Sequence, residues 1–450
     1  MQGFLSFSVS SWTGGKPSSY VISMVQRDGT FPGGLLPILL AGARTDGVRV
    51  EVIDRRVAPC GVDRAADLSW LRPYQREALE AIATNVRGTV KIATGGGKGE
   101  LVAALPRFIP ARWTLIVHRT HLMEELADRF EKRTGEEAGR VGDGKWTHRR
   151  VTFVTFATLA ARAGSEEAAR LFQTTQGLIV DEVHTAPALT HGQTLAKFRN
   201  AYWRVGLSAS PFARGDRKSI LAAAYLGPMI YELSATDLID MGSLAKPSIR
   251  MVACNHDEGT HGLPWPALYQ HAVVHNLWRN TLVVRTLVRS PGPRMVFVND
   301  LEHGRILTRM ATAAGLRCRF VEGASSLDER KQIIADLAQG KLDAAVATGV
   351  FNEGVDIPCL RTVVIASGGK AYIAAVQRVG RATRLDAASG KTTADVWDFD
   401  DRGHPNLAAH SRARRRAYTR EGYAVQVQET PVFDAPEASA QLDLGDLFRP

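Results

Sequence analysis

A chain of 450 residues is too long for one ordinary core, so two or three domains are expected, and 45% hydrophobic against 23% charged residues describes a soluble globular protein. The net charge of +10 and a pI near 9.6 lean toward a polyanionic partner, although a basic proteome gives the same balance. Cys60, Cys254, Cys318 and Cys359 are too scattered for a zinc ribbon or a disulfide framework, and a reducing cytoplasm fits them. No apolar run reaches membrane-spanning length and no basic-then-apolar secretion signal opens the chain, so a cytosolic protein is expected.

Residues 1–68 read as a small β-rich module with one helix. Phe4 to Ser10 and Tyr20 to Val25 look like short strands, Leu35 to Ala41 like a helix, and Val48 to Ile53 alternates like a further strand. The polar stretch from Asp54 to Asp67 suits a linker.

Residues 69–243 change to short, continuous apolar runs separated by helical segments. The strand candidates are Val90–Ala93, Leu115–His118, Val151–Thr155, Leu178–Val180 and Arg204–Leu207. Continuous rather than alternating runs suit parallel strands covered by helices on both faces. The first run breaks into Thr94-Gly-Gly-Gly-Lys98, followed by a helix-compatible stretch from Glu100. Strand, glycine loop, lysine and helix is the build of a phosphate cradle, although a lone glycine-rich loop is often just a tight turn and the rest of the chain must decide between them. Backbone N–H groups of Gly95, Gly96 and Gly97 converge on an anion, the helix N-terminus adds partial positive charge, and the Lys98 ammonium reaches the outer phosphates. The next residue is usually Ser or Thr, whose hydroxyl helps hold Mg²⁺; here it is Gly99. Farther on, Leu178-Ile-Val-Asp-Glu-Val-His184 ends an apolar strand in adjacent carboxylates, at the sheet edge where ligands bind in α/β folds. In that place Asp181 would hold Mg²⁺ and Glu182 would orient or deprotonate a water. The bland alternative is a solvated acidic turn; the phosphate loop upstream argues against it.

Leu238 to Pro247 reads as loop. Residues 244–428 then repeat the α/β pattern, beginning with a helix over His271–Val288. Their strand candidates are Met295–Val298, Cys318–Val321, Ala344–Ala347, Val363–Ala366 and Val396–Phe399. Gln377-Arg-Val-Gly-Arg-Ala-Thr-Arg384 puts Arg381 and Arg384 three apart, on one helix face, where two guanidiniums can meet phosphate oxygens. His271 and His275 have the spacing of a zinc pair but lack the accompanying Glu, so a metal role there is disfavoured. Cys254, His256 and His261 read as loop residues. A helix over 405–420 carries Arg412, Arg414, Arg415 and Arg416, either a solvated face or a DNA-backbone contact. The acidic tail, 429–450, reads as disordered.

Taken in order, these motifs resemble those of the superfamily 2 helicases, with Asp181–His184 as the DExH variant, and the likeness covers about residues 69–425. The resemblance implies two tandem RecA-like parallel-sheet domains and an ATP site between them. Leu71-Arg-Pro-Tyr-Gln75 matches the adenine-sensing glutamine motif, so Arg72 and Gln75 join Thr94, Gly95, Gly96, Gly97, Lys98, Gly99 and Glu100 as nucleotide contacts. Val117-His-Arg-Thr-His-Leu122 and Val154-Thr155 match the segments that touch a nucleic-acid backbone, through His118, Arg119 and Thr155. Leu207-Ser-Ala-Ser-Pro211 matches the coupling motif, giving Ser208 and Ser210 that role together with His184. In the second domain, Asn299 and Thr348 would contact nucleic acid and Gly354 and Asp356 the nucleotide. Gln377, Arg381 and Arg384 would complete the catalytic set.

The details resemble the branch holding XPB and the phage recombination helicase UvsW, whose members work on DNA and often remodel duplexes, forks or branched intermediates. The resemblance therefore implies an ATP- and Mg²⁺-dependent DNA helicase or translocase. The alternatives are an RNA helicase or duplex-sensing ATPase, and a nucleic-acid-binding module without turnover. Gly99 is the departure from the catalytic pattern. Because Mg²⁺ keeps several waters and binds through one carboxylate plus phosphates, an active ATPase with weakened metal dependence is expected.

Overall fold

The computed structural model describes residues 6–13, 16–23, 29–53, 56–183, 189–209, 219–254, 262–323, 325–348, 357–369, 379–380, 383–385 and 390–429. The chain divides into two compact units, residues 1–93 with 97–233 and residues 94–96 with 234–450, and the main break at Leu233/Ser234 lies ten residues ahead of the boundary read from sequence.

The first unit opens with an antiparallel hairpin, β1 (Ser6–Thr13) and β2 (Lys16–Ser23). A 3-10 turn, Gly33–Leu35, leads into the Leu36–Thr45 helix. Leu35 is fully buried, and Gly34 lies so close to the Ser219–Leu226 helix that a Cβ there would stand 2.1 Å from the Ala223 carbonyl oxygen. This segment is therefore seated on the body of the first unit. Val48–Ile53 is not a strand: it pairs with no strand among the described residues, and Ile53 is 69% exposed. Its alternation is present, but without a neighbouring ladder it has no sheet to join.

The main sheet of this unit has eight strands: β3 (Arg87–Ile92), β4 (Trp113–Val117), β5 (Gly139–Gly142), β6 (Lys145–Trp146), β7 (Val151–Thr155), β8 (Gly177–Asp181), β9 (Trp203–Ser208) and β10 (Met229–Leu233). Their order is β10-β3-β9-β8-β4-β7-β5-β6, with only β6 antiparallel to its neighbour. Every residue of β4, β7 and β9 is buried, which follows from helices covering both faces of a parallel sheet.

The second unit is built on seven parallel strands: β11 (Lys246–Cys254), β12 (Arg294–Phe297), β13 (Cys318–Val321), β14 (Ala344–Ala347), β15 (Thr362–Ile365), β16 (Thr393–Asp401) and β17 (Val425–Gln428), in the order β13-β14-β12-β15-β16-β11-β17. Leu238–Pro247 is not simply loop. It begins inside a helix, Ala235–Asp240, which Ser234 and Asp237 close with a capping box, and ends inside β11. The helix expected over 271–288 is also interrupted. A wide turn, Gln270–Val274, ends before Asn276, whose side chain accepts the Arg279 N–H at 2.8 Å and starts a new helix, Leu277–Arg289. Asn competes for backbone donors in this way and favours caps over helix interiors. The tail from 430 onward lies outside the described residues. Among the described residues no helix is long and apolar enough to cross a membrane.

Candidate functional site

A parallel sheet gathers the carboxyl ends of its strands at one edge. In the β3–β10 sheet that edge has the glycine loop following β3, His118 after β4, Thr155 ending β7, Asp181 ending β8 and Ser208 ending β9. The register puts Asp181 beside Leu207, so Glu182 comes level with Ser208.

The loop bends through two left-handed glycines, Gly95 (φ +90) and Gly97 (φ +79), before the Lys98–Phe108 helix begins. Gln75 braces it. Its Oε1 accepts the Arg72 N–H at 2.9 Å and its Nε2 donates to the Gly97 carbonyl at 3.2 Å. Lys98 Nζ lies 3.4 Å from the Ile92 carbonyl oxygen and 3.9 Å from Glu182 Oε1. Glu182 adopts a left-handed backbone (φ +49), which costs an L-residue roughly 1–2 kcal/mol and is the kind of strain that collects at functional sites. Its Oε2 accepts from Ser208 Oγ at 3.3 Å, and Ser208 is fully buried.

Asp181 is half-buried, but its Oδ1 is shut away from solvent and has no hydrogen-bond partner among the described residues. Burial, followed by the adjacent Glu182 carboxylate, pushes its carboxyl up to about 6, against the pull of Lys98 and His118. A buried, unpartnered carboxylate oxygen beside a phosphate cradle is well suited to a hard divalent cation, which would supply the missing positive charge. Among the described residues no group of three His, Cys, Asp or Glu could hold a metal ion.

Gly99 has a definite neighbour. A Cβ on it would lie 3.1 Å from Arg129 Nη1 and 3.3 Å from Arg129 Cδ. Arg129 and Arg133, both on the Thr120–Thr134 helix, hold the Glu100 carboxylate at 3.3 and 2.8 Å. Nothing in the motif spacing points to these two arginines. Glu100 is thus engaged in an ion-pair cluster at the helix start.

The remaining first-unit residues divide by exposure. Arg119 is exposed at the start of the Thr120–Thr134 helix, whereas Thr155 is buried, accepting the Thr158 N–H and donating to Thr158 Oγ1 at 2.8 Å. His184 and Ser210 lie outside the described residues. In the second unit Asn299 is exposed after β12 and Thr348 half-buried after β14, at one sheet edge. Arg384 is half-buried beside Thr383, whose hydroxyl donates to the Gly380 carbonyl at 3.1 Å. Gly354, Asp356, Gln377 and Arg381 lie outside the described residues. The basic 405–420 helix is not uniformly a surface feature, for the Arg414 side chain is 1% exposed and ion-paired to Asp398. Arg414 is therefore removed from the set of DNA-backbone candidates.

Both units match family models. Residues 69–213 match the type III restriction enzyme, res subunit, and residues 278–386 match the helicase conserved C-terminal domain. The DNA 3'-5' translocase XPB2 of Sulfurisphaera tokodaii is 25% identical over 375 residues, spanning 75% of this chain and 83% of its own. The ATP-dependent DNA helicase uvsW of Enterobacteria phage T4 is 24% identical over 353 residues, spanning 73% and 68%. Among solved structures, a fragment assigned as the HsdR subunit of a type I restriction enzyme from Vibrio vulnificus YJ016 is similar in fold, with a TM-score of 0.59 at 16% identity over 94% of this chain and 91% of that one.

Proposed function

Because the chain belongs to the superfamily 2 helicases, in the branch that holds XPB and UvsW, we propose that it hydrolyses ATP to move along or remodel DNA, with duplex, forked or branched DNA as substrate. The observation that carries the catalytic part is the sheet-edge group of Lys98, Asp181, Glu182 and Ser208, in which Asp181 Oδ1 is buried without a hydrogen-bond partner among the described residues.

In this reading the Gly95–Gly97 N–H groups and the Lys98 ammonium hold the phosphates, while Arg72 and Gln75 flank the adenine. Asp181 would hold Mg²⁺, which when bound draws charge off the phosphate oxygens. Glu182 orients the attacking water and takes its proton as the water oxygen bonds to the γ-phosphorus and the bridging P–O bond breaks. Ser208 keeps the Glu182 carboxylate turned toward that water. Gln377, Arg381 and Arg384 are assigned to phosphate stabilisation, and Gly354 and Asp356 to nucleotide contact. His118, Arg119, Thr155, Asn299 and Thr348 are assigned to the nucleic-acid backbone; His184, Ser208 and Ser210 couple the two events.

The test is ATP hydrolysis measured with single strands, duplexes, forks and four-way junctions of DNA, and with matching RNA. Stimulation by DNA is expected, with Lys98→Ala and Glu182→Gln each lowering kcat by about 100-fold or more. Equal activity in Lys98→Ala and wild type would falsify the catalytic assignment. Stronger stimulation by RNA than by DNA would replace the substrate.

A further inference from the structure

In the second unit, β12 and β15 are neighbours in the sheet, and the segments that follow them are gripped by two adjacent residues. Gln270 Nε2 donates to Asp300 Oδ2 at 3.1 Å, and Tyr269 Oη donates to the Ser367 carbonyl at 2.8 Å. Asp300 uses its other oxygen, Oδ1, to accept the His303 N–H at 3.0 Å and so start the Leu301–Ala313 helix. Gln270 opens the wide turn, in which the His275 N–H reaches back five residues to the Gln270 carbonyl at 2.8 Å. Turns of this i→i+5 kind are rare and collect at functional sites.

The short strap after β15, residues 366–369, is also held from the core. Arg279 Nη1 donates to the Ala366 carbonyl at 2.9 Å, and Arg414 Nη1 to the Gly369 carbonyl at 2.7 Å. Both guanidiniums are buried in ion pairs, Arg279 with Asp401 and Arg414 with Asp398. Pairs buried this deeply stabilise a fold no better than apolar side chains of similar volume do; their distinctive property is direction, because a guanidinium fixes several acceptors at once. Gly368 turns the strap with a left-handed backbone (φ +63), and a Cβ there would lie 3.1 Å from Val273 of the wide turn.

The strap forms a seat for Asn299. A Cβ on Gly369 would lie 3.1 Å from Asn299 Nδ2, so the bare glycine backbone is what lets the amide approach this closely. Asn299 is exposed and directly precedes the gripped Asp300. Its backbone is therefore set from one side and its amide from the other.

We propose that Gln270 and Gly369 are positioning residues for DNA binding, holding the Asn299 amide in place before a strand arrives. The inference rests on the assignment of Asn299 to the nucleic-acid backbone. An amide fixed in advance loses little side-chain freedom when a phosphate oxygen accepts from it, so the contact is preorganised.

The test measures binding of labelled forked DNA by the full chain carrying Asn299→Ala, Gln270→Ala or Gly369→Ala, and by the two double variants that include Asn299→Ala. Val283→Ala is a cavity control in the core of the same unit. Asn299→Ala is expected to raise Kd about fivefold, the worth of one hydrogen bond. Gln270→Ala and Gly369→Ala should each raise it about threefold, and add no more than about 1.5-fold once Asn299 is already alanine, because both act through that amide. Val283→Ala should lower Tm at least as much as either, with Kd within about 1.5-fold of wild type. Three results overturn the positioning roles while the Asn299 contact stands: wild-type affinity in Gln270→Ala and Gly369→Ala, losses that persist in full in the Asn299→Ala background, or an equal loss in Val283→Ala. Unchanged affinity in Asn299→Ala overturns the contact itself, and the positioning roles with it.

Discussion

His303 makes acid sensitivity of the second unit a quantitative expectation. It is fully buried on the Leu301–Ala313 helix, and its Nε2 lies 2.9 Å from Asn280 Oδ1. Asn280 spends its amide N–H on the Val274 carbonyl at 2.8 Å, so its oxygen faces the ring and Nε2 is the protonated nitrogen. Nδ1 is buried without a hydrogen-bond partner among the described residues. Burial first, then the charges of Arg279 and His275, push the imidazole down to about 3. With the folded value below the ordinary 6.5, the unfolded chain takes up a proton that the folded chain refuses. Stability is then complete above about pH 6.5 and falls as the pH drops toward 3. At pH 5 the loss is roughly 1.5 pH units at about 1.36 kcal/mol each, or about 2 kcal/mol. The comparison is wild type against His303→Gln, which keeps a donor for Asn280 and cannot titrate. Urea titrations at pH 7.5 and pH 5, read by pulsed hydrogen exchange over residues 294–310, isolate this unit. Wild type should lose about 2 kcal/mol more than the variant between the two pH values. Equal losses would mean that His303 is protonated in the folded state.

Two further outcomes concern the glycine loop. Gly97→Ala forces an L-residue into φ +79 and places a Cβ 2.4 Å from Gln75 Nε2. ATP affinity should fall at least about tenfold, and less when Gln75→Ala is added, because neighbouring substitutions are not additive; equal losses in both backgrounds would clear Gln75 of any part. Gly99→Ser must displace the Arg129 guanidinium by a few tenths of an ångström, a cost held below about 0.5 kcal/mol by that side chain's partial exposure. Several-fold less Mg²⁺ should then give half-maximal ATPase, and an unchanged Mg²⁺ curve would show that position 99 does not face the metal.

The strands of both sheets were legible because parallel strands buried on both faces leave continuous apolar runs. Val151–Thr155 and Ala344–Ala347 fall on the expected residues, and so does Cys318–Val321, although it is a half-exposed edge strand. Other strands at or near sheet edges escaped. Met229–Leu233 and Val425–Gln428 are half-exposed, and Lys246–Cys254 begins with a lysine and a proline that read as loop. Val48–Ile53 failed in the opposite direction, because alternation reports a strand's fitness for a sheet and not the presence of a partner. Within the site, residues on motifs were readable from spacing, but Arg129 is brought to Gly99 only by helix packing. Arg414 looked like its neighbours as a residue type. Its burial was nonetheless encoded, since Leu407, Ser411, Arg414 and Tyr418 follow one another at helical spacing along the inner face.

The place of β11 in its sheet bears on how the protein can be synthesised. Lys246–Cys254 lies between β16 and β17, and both of those neighbours come from near the far end of the chain. During translation this strand emerges early and waits, both hydrogen-bonding edges open, until Thr393–Asp401 and then Val425–Gln428 have left the ribosome. Such late, long-range pairing is slow and leaves an interval in which the bare strand can template association with other chains. A nonsense change anywhere between β11 and residue 393 would make that interval permanent. The product would carry a complete first sheet followed by an unpaired strand prone to associate with other chains.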